Sequence, residues 1–238
     1  MSPHRKTSLA AGVLYLLTFV SIPTLALYGS VKGANYILGA GPDTAALVGA
    51  LLEIVVALAG MGTAVALFPV LKRQNEGVAM GFIGSRTMEG AALFVCVGCI
   101  LSVVSLRQAG AGPDALVTSH ALVTMYDRMF LLGGSLMPAL NAVLLGTLLY
   151  RARLVPRVLP LLGLIGAPLL FAADLAVLFD LIGRTSTPAV VTALPIALWE
   201  FSLGVWLIVK GFKPSPILFT DARDAGVNSS VVPVAADR

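Results

Sequence analysis

The chain reads as an all-α protein: a polytopic bundle of six transmembrane helices with both termini in the cytoplasm. Three observations predict it. Of its 238 residues 58% are hydrophobic and only 12% charged, with mean hydropathy +0.93. A soluble domain carries about 25% charged residues, so this chain has too little polar surface to cover a water-soluble body. The apolar residues gather into six runs, Leu9–Tyr28, Ala46–Leu71, Ala79–Leu106, Met129–Tyr150, Val158–Ile182 and Val190–Lys210. Each run has about the 17–25 residues a helix needs to cross bilayer hydrocarbon. The basic residues then fall on one side. Arg5, Lys6, Lys72, Arg73, Arg151, Arg153, Arg157, Lys210, Lys213, Arg223 and Arg238 share the side of the termini, against Lys32, Arg107, Arg128 and Arg184 opposite. That bias fits the positive-inside rule with cytoplasmic termini. The net charge of +4 and pI near 9.3 are therefore a topology signal, and no nucleic-acid partner is expected. The partner the composition implies is the lipid bilayer, and the location a cytoplasmic membrane, crossed several times.

Span one begins after a basic head, as a signal peptide does. Its apolar stretch of about 19 residues exceeds the 7–15 of a secretory h-region, so it reads as a retained helix, with Pro23 as a kink. Tyr28 and Tyr36 in the loop beyond it are expected at the headgroups, where amphipathic rings prefer to sit. Span two repeats Gly49, Glu53, Val56, Gly60, Thr63 and Leu67 at four- and three-residue steps. That small-residue face is expected to pack inward and take Glu53 with it. The short turn Lys72–Gly77 makes spans two and three antiparallel neighbours. Span three holds the only cysteines, Cys96 and Cys99. A redox or metal pair is conceivable at that spacing, but small core filler is the better reading, because no histidine and no second pair accompany it.

The third loop, Arg107 to Asp127, opens with glycines and a proline that punctuate the chain. From Pro113 onward its pattern is helical, lying on the outer surface or extending span four. Asn141 lies near the middle of span four, where an amide can bond across helices. The basic hairpin Arg151–Arg157 leads to span five, and the turn after Ile182 leads to span six. Residues 1–212 thus form the transmembrane domain and 213–238 a flexible cytoplasmic tail.

Glu53, Arg86, Glu89, Asp174 and Glu200 lie well inside these runs. A charge at the helix centre costs about 2.5–3.5 kcal/mol on insertion scales, so each must be paired, solvated or protonated. Arg86 and Glu89, three residues apart, share a helix face and can pair. The functional reading is a polar site or proton path made by Glu53, Arg86, Glu89, Asn141, Asp174 and Glu200; the structural one is an ion pair plus interhelical hydrogen bonds that fix packing. Pro168 and Pro195 precede Asp174 and Glu200. They are ordinary membrane-helix prolines or breaks that expose carbonyls. Pairing the two halves of the chain would match Glu53 with Asp174 and Glu89 with Glu200, although the surrounding residues align poorly.

Several stretches together resemble the bacterial membrane family catalogued as domain of unknown function 4386. They are Ala11-Gly-Val-Leu-Tyr-Leu16, Arg86-Thr-Met-Glu89, Leu148-Leu-Tyr-Arg151 with Val155-Pro-Arg157, and Glu200 followed by Gly204-Val-Trp-Leu207 and Lys210-Gly-Phe212. The resemblance runs from about Ser8 to Phe212. It implies an integral membrane protein of this topology and points to Arg86, Glu89 and Glu200, but it supplies no activity.

Three function classes follow. The first is binding or passage of a small solute or a proton through the acidic cluster. The second is a non-catalytic membrane partner or regulator, in a hetero-complex or homo-oligomer, whose charges serve assembly. An intramembrane enzyme ranks last, since the chain shows no nucleophile–base pair and no metal-ligand set. No cofactor and no metal are expected.

Overall fold

Residues 1–218 are described by the structure, a computed structural model, and their regular elements are all helices, without strands. Six helices are long and apolar enough to cross a membrane: Pro3–Leu27, Thr44–Leu71, Glu76–Gln108, Gly112–Ala152, Val158–Leu178 and Thr187–Val209. They are spans one to six below. The protein is a multi-pass membrane protein with the expected six-helix architecture.

Local chemistry explains where these helices start, break and stop. Ser2 caps span one by accepting from the Arg5 amide at 3.3 Å, and Pro3 takes the first helical turn, where its missing N–H costs nothing. At Pro23 the helix breaks, after a 3-10 turn over Thr18–Ser21. The hydroxyls of Thr18 and Thr24 donate to the carbonyls of Tyr15 and Ser21 at 2.6 and 2.7 Å, which relieves the disrupted ladder. Asn75 caps span three by accepting from Val78 at 3.0 Å, and Glu76 and Arg107 at its two ends complement the helix dipole. Arg153, in the left-handed region at φ 54°, ends span four.

The segment after Pro113 extends span four rather than lying flat. A 3-10 turn over Gly112–Ala115 leads into the helix Leu116–Met129, a π-helical segment over Phe130–Ser135 and the helix Leu136–Ala152. At 1.5 Å per residue the 41 residues of this span reach roughly 60 Å, twice the hydrocarbon thickness, so its first turns stand beyond the lipid core.

Each span packs on the next, and span one closes the ring by packing on both span six and span two. Small residues permit the closure. A Cβ on Gly12 would lie 2.7 Å from the Gly204 carbonyl, and one on Gly204 would meet Leu16 and Tyr15. The face of span two that carries Gly49, Glu53, Gly60, Thr63 and Leu67 is buried, as its spacing implies. Leu51, Leu58 and Val65 on the same helix point outward and are exposed, as a lipid-facing surface requires.

At the end of the bundle where span one begins and span six ends, Arg5 donates to the carbonyls of Leu207 (3.0 Å) and Ile208, capping span six. Lys213 and Ser215 bond to the carbonyls of Leu154 and Ala152 at 2.7 Å, so residues 213–215 lie against the hairpin after span four. The rest of the expected tail, from 219 on, lies outside the described residues.

Candidate functional site

A buried guanidinium organises the middle of the ring. Arg86, 2% exposed, leaves span three ten residues after its start, roughly 15 Å from that end of the helix. Its Nη1 donates to both carboxylate oxygens of Glu89, at 3.2 and 3.0 Å, which the three-residue spacing allows. Its Nη2 donates to Glu200 Oε1 on span six at 2.7 Å and to the Tyr15 hydroxyl on span one at 3.2 Å. The amide of Asn141 on span four donates to Glu89 Oε2 at 2.6 Å. The Tyr15 and Phe82 rings lie 5.3 and 5.8 Å from the guanidinium carbon. On span two Gly60 leaves room: a Cβ there would sit 3.8 Å from Nη1. One side chain thus touches or binds groups from spans one, three, four (through Glu89) and six.

The two acids on Arg86 are not equivalent. Glu89 uses both oxygens and a second donor, whereas Glu200 offers Oε1 alone among the described residues, although their side chains are similarly exposed, 11% and 14%. Two polar atoms at the site, Arg86 Nε and Asn141 Oδ1, are buried without a partner among the described residues. Two carboxylates facing one guanidinium leave a formal excess of one negative charge when both are ionised. A low-dielectric interior does not hold such an excess without a further positive charge.

Glu53 stands apart. It lies seven residues from Gly60 along span two, roughly 10 Å further from the end where span one begins. It is 1% exposed and accepts from Tyr126 at 2.5 Å and Tyr28 at 3.1 Å. The two rings meet edge to face at 5.6 Å, and Gly49 makes room for Tyr28: a Cβ there would sit 2.4 Å from the ring. Above them Lys32 lies 3.7 Å from the Tyr126 ring centroid and bridges to Asp127 at 2.8 Å, which Arg184 also binds at 3.1 Å. Burial lowers the affinity of the Lys32 ammonium for its proton, and Asp127 partly restores it.

Asp174 forms a third set. Its Oδ1 accepts from Ser135 at 2.7 Å, where the π-helical segment ends, and its Oδ2 is buried without a partner among the described residues. The structure therefore brings Arg86, Glu89, Asn141 and Glu200 together, and gives Glu53 and Asp174 separate partners.

The residues that sequence reasoning missed are neutral partners: Tyr28, Tyr126 and Ser135, which donate to buried acids, and Tyr15, which accepts from Arg86. Tyr28 and Tyr36, expected at the level of the headgroups, are both buried within the protein. The Tyr28 hydroxyl serves Glu53, and that of Tyr36 serves Asp43. A tyrosine near the end of a span has two destinations, the interface or a buried acid on the next helix, and spacing does not separate them. Cys96 and Cys99 are both buried free thiols.

A family model described as domain of unknown function (DUF4386) matches residues 10–211. No curated protein and no solved structure matches the chain.

Proposed function

This chain belongs to the family described as domain of unknown function (DUF4386), and from that premise we propose that its Arg86 site binds or passes a proton or small cationic solute. The observation that carries the reading is the second carboxylate. An Arg86–Glu89 pair is neutral and completes a structural hydrogen-bond set. Glu200 adds a charge that costs about 2.5–3.5 kcal/mol at that depth unless it is neutralised, and it leaves one oxygen free to be neutralised by a proton or a cation. Glu53 and Asp174 extend the reading towards the far side, each as an acid held by neutral donors only. The excess of lysine and arginine on the side of the termini supports an orientation with both ends on the cytoplasmic side of a bacterial cytoplasmic membrane.

The test is proton and monovalent-cation flux in proteoliposomes under an imposed gradient. Wild type should carry flux that Glu200→Gln abolishes while the variant still elutes as a folded species. Flux equal in wild type, Glu200→Gln and empty vesicles would falsify the reading.

One observation favours a second class. Arg86 and its partners tie four of the six spans together, as an assembly device does. A non-catalytic partner or regulator fits this. It requires a membrane protein or second copy that copurifies at fixed stoichiometry, and a homogeneous monomer would remove it.

A further inference from the structure

Between spans five and six, on the lipid-facing side, runs an apolar groove of about 400 Å³. Leu159 forms one wall; Phe201, Val205, Trp206 and Val209 form the other, and Lys210 closes its end. From Phe201 to Lys210 the helix rises roughly 14 Å, close to the 15 Å of hydrocarbon in one leaflet. The groove is therefore as deep as one leaflet, and its cation stands where headgroups lie. Lys213 adds a second ammonium 5.8 Å from the Trp206 ring centroid, and the Trp206 indole is pinned by donating to the Gly211 carbonyl at 3.0 Å. Arg157, exposed two residues before Leu159, adds a third cation by that wall. Among the described residues Glu76 is the sole acid at this end of the bundle, and neither lysine has an acidic partner. An apolar cleft one leaflet deep with a cationic mouth is complementary to one class of ligand.

We propose that this groove is a binding site for an anionic diacyl phospholipid, an acyl chain lying along Phe201 and Val205 and the phosphate held by Lys210 and Lys213. The site is separate from the Arg86 cluster and does not depend on its reading. Zwitterionic lipids of the same chain length fill the groove equally well but gain less from the lysines, because their own ammonium offsets the phosphate, so preference for the anionic head is the signature.

The test is native mass spectrometry of the detergent-purified full chain titrated with phosphatidylglycerol or phosphatidylcholine of identical chains. Wild type should retain phosphatidylglycerol in preference. A lysine near the headgroup contributes about fivefold, so Lys210→Gln with Lys213→Gln should weaken it roughly thirtyfold while weakening phosphatidylcholine much less. Val205→Phe, which narrows the groove and keeps every charge, should weaken both lipids. Arg151→Gln with Arg153→Gln is the control and should change little. Equal retention of the two lipids by wild type overturns the proposal, as does unaltered binding in the Val205 variant. An arginine control that loses as much as the lysine pair overturns it too, since the attraction is then diffuse.

Discussion

Removing the guanidinium and keeping its partners is the sharpest perturbation of the central site. Arg86→Met keeps length and apolar bulk but leaves Glu89 and Glu200 facing each other with Tyr15 and Asn141 as the remaining polar neighbours. Removing one partner of a buried ion pair costs about 3–5 kcal/mol, because the charge left behind is uncompensated. For a chain of this size that corresponds to a fall in Tm of roughly 6–20 °C. The triple variant Arg86→Met, Glu89→Gln, Glu200→Gln removes every formal charge together. Replacing a whole buried ionic set by neutral groups is often close to neutral, so most of the loss should return, with about 1–2 kcal/mol outstanding for imperfect hydrogen bonds. The assay is thermal unfolding in detergent, followed by circular dichroism at neutral pH. If Arg86→Met melts within about 2 °C of wild type, or the triple variant melts no higher than the single one, the electrostatic account of this site is wrong.

Other expectations follow from the same contacts. Tyr126→Phe removes the shorter of the two donors to Glu53 and should cost about 1–3 kcal/mol in unfolding free energy, and an unchanged Tm would show that this hydrogen bond carries nothing. Gly12→Leu pushes span one off the Gly204 carbonyl and should destabilise by about 1–3 kcal/mol, more than Gly41→Leu, where a side chain meets open space; equal effects would refute the close contact. Outside the membrane, hydrogen bonds from Tyr36 and then Gln108, aided by Arg107, hold Asp43 below the ordinary carboxylate range. A depressed folded-state value gives stability that is present above about pH 3.9 and lost as pH falls through that folded value. Asp43→Asn should therefore flatten the acid limb of a stability profile, and an acid limb as steep as that of wild type would place the titrating group elsewhere.

The number of helices, their order and their buried acids were legible because they rest on one-dimensional quantities. A run of about 20 apolar residues has no stable place but lipid, and a carboxylate within it has to be turned inward. The Arg86–Glu89 pair was legible for the same reason, since three residues on a helix fix a distance. The grouping of the other acids was not legible. Glu200 reaches Arg86 because Gly12 and Gly204 let spans one and six close the ring, which is a long-range contact between the chain's ends. Glu53 is drawn to Tyr126 because the segment after Pro113 stacks on span four instead of lying along the surface. Asp174 finds Ser135 where a π-helical segment of span four ends, and the apolar sequence of that segment carries no periodic mark of it.

The inequality of the two acids on Arg86 gives the proposed function its most specific consequence. Glu89 is bound through both oxygens and by Asn141, and it behaves as part of the frame. Glu200 gives up one oxygen, and its other oxygen has no hydrogen-bond partner among the described residues, so it is the group able to exchange a proton or cation. Glu89→Gln turns an amide against a guanidinium and weakens charge-assisted bonds of about 1.5–3 kcal/mol. Glu200→Gln keeps a carbonyl oxygen for Nη2 and relieves the excess negative charge. Of the two, Glu89→Gln should therefore lower Tm more, while Glu200→Gln should stop flux with Tm nearly unchanged. Paired measurements of melting and flux on both variants separate the roles. If Glu200→Gln proves the less stable variant and still carries flux, the exchangeable charge is not at Glu200, and the site is a structural joint between spans three and six.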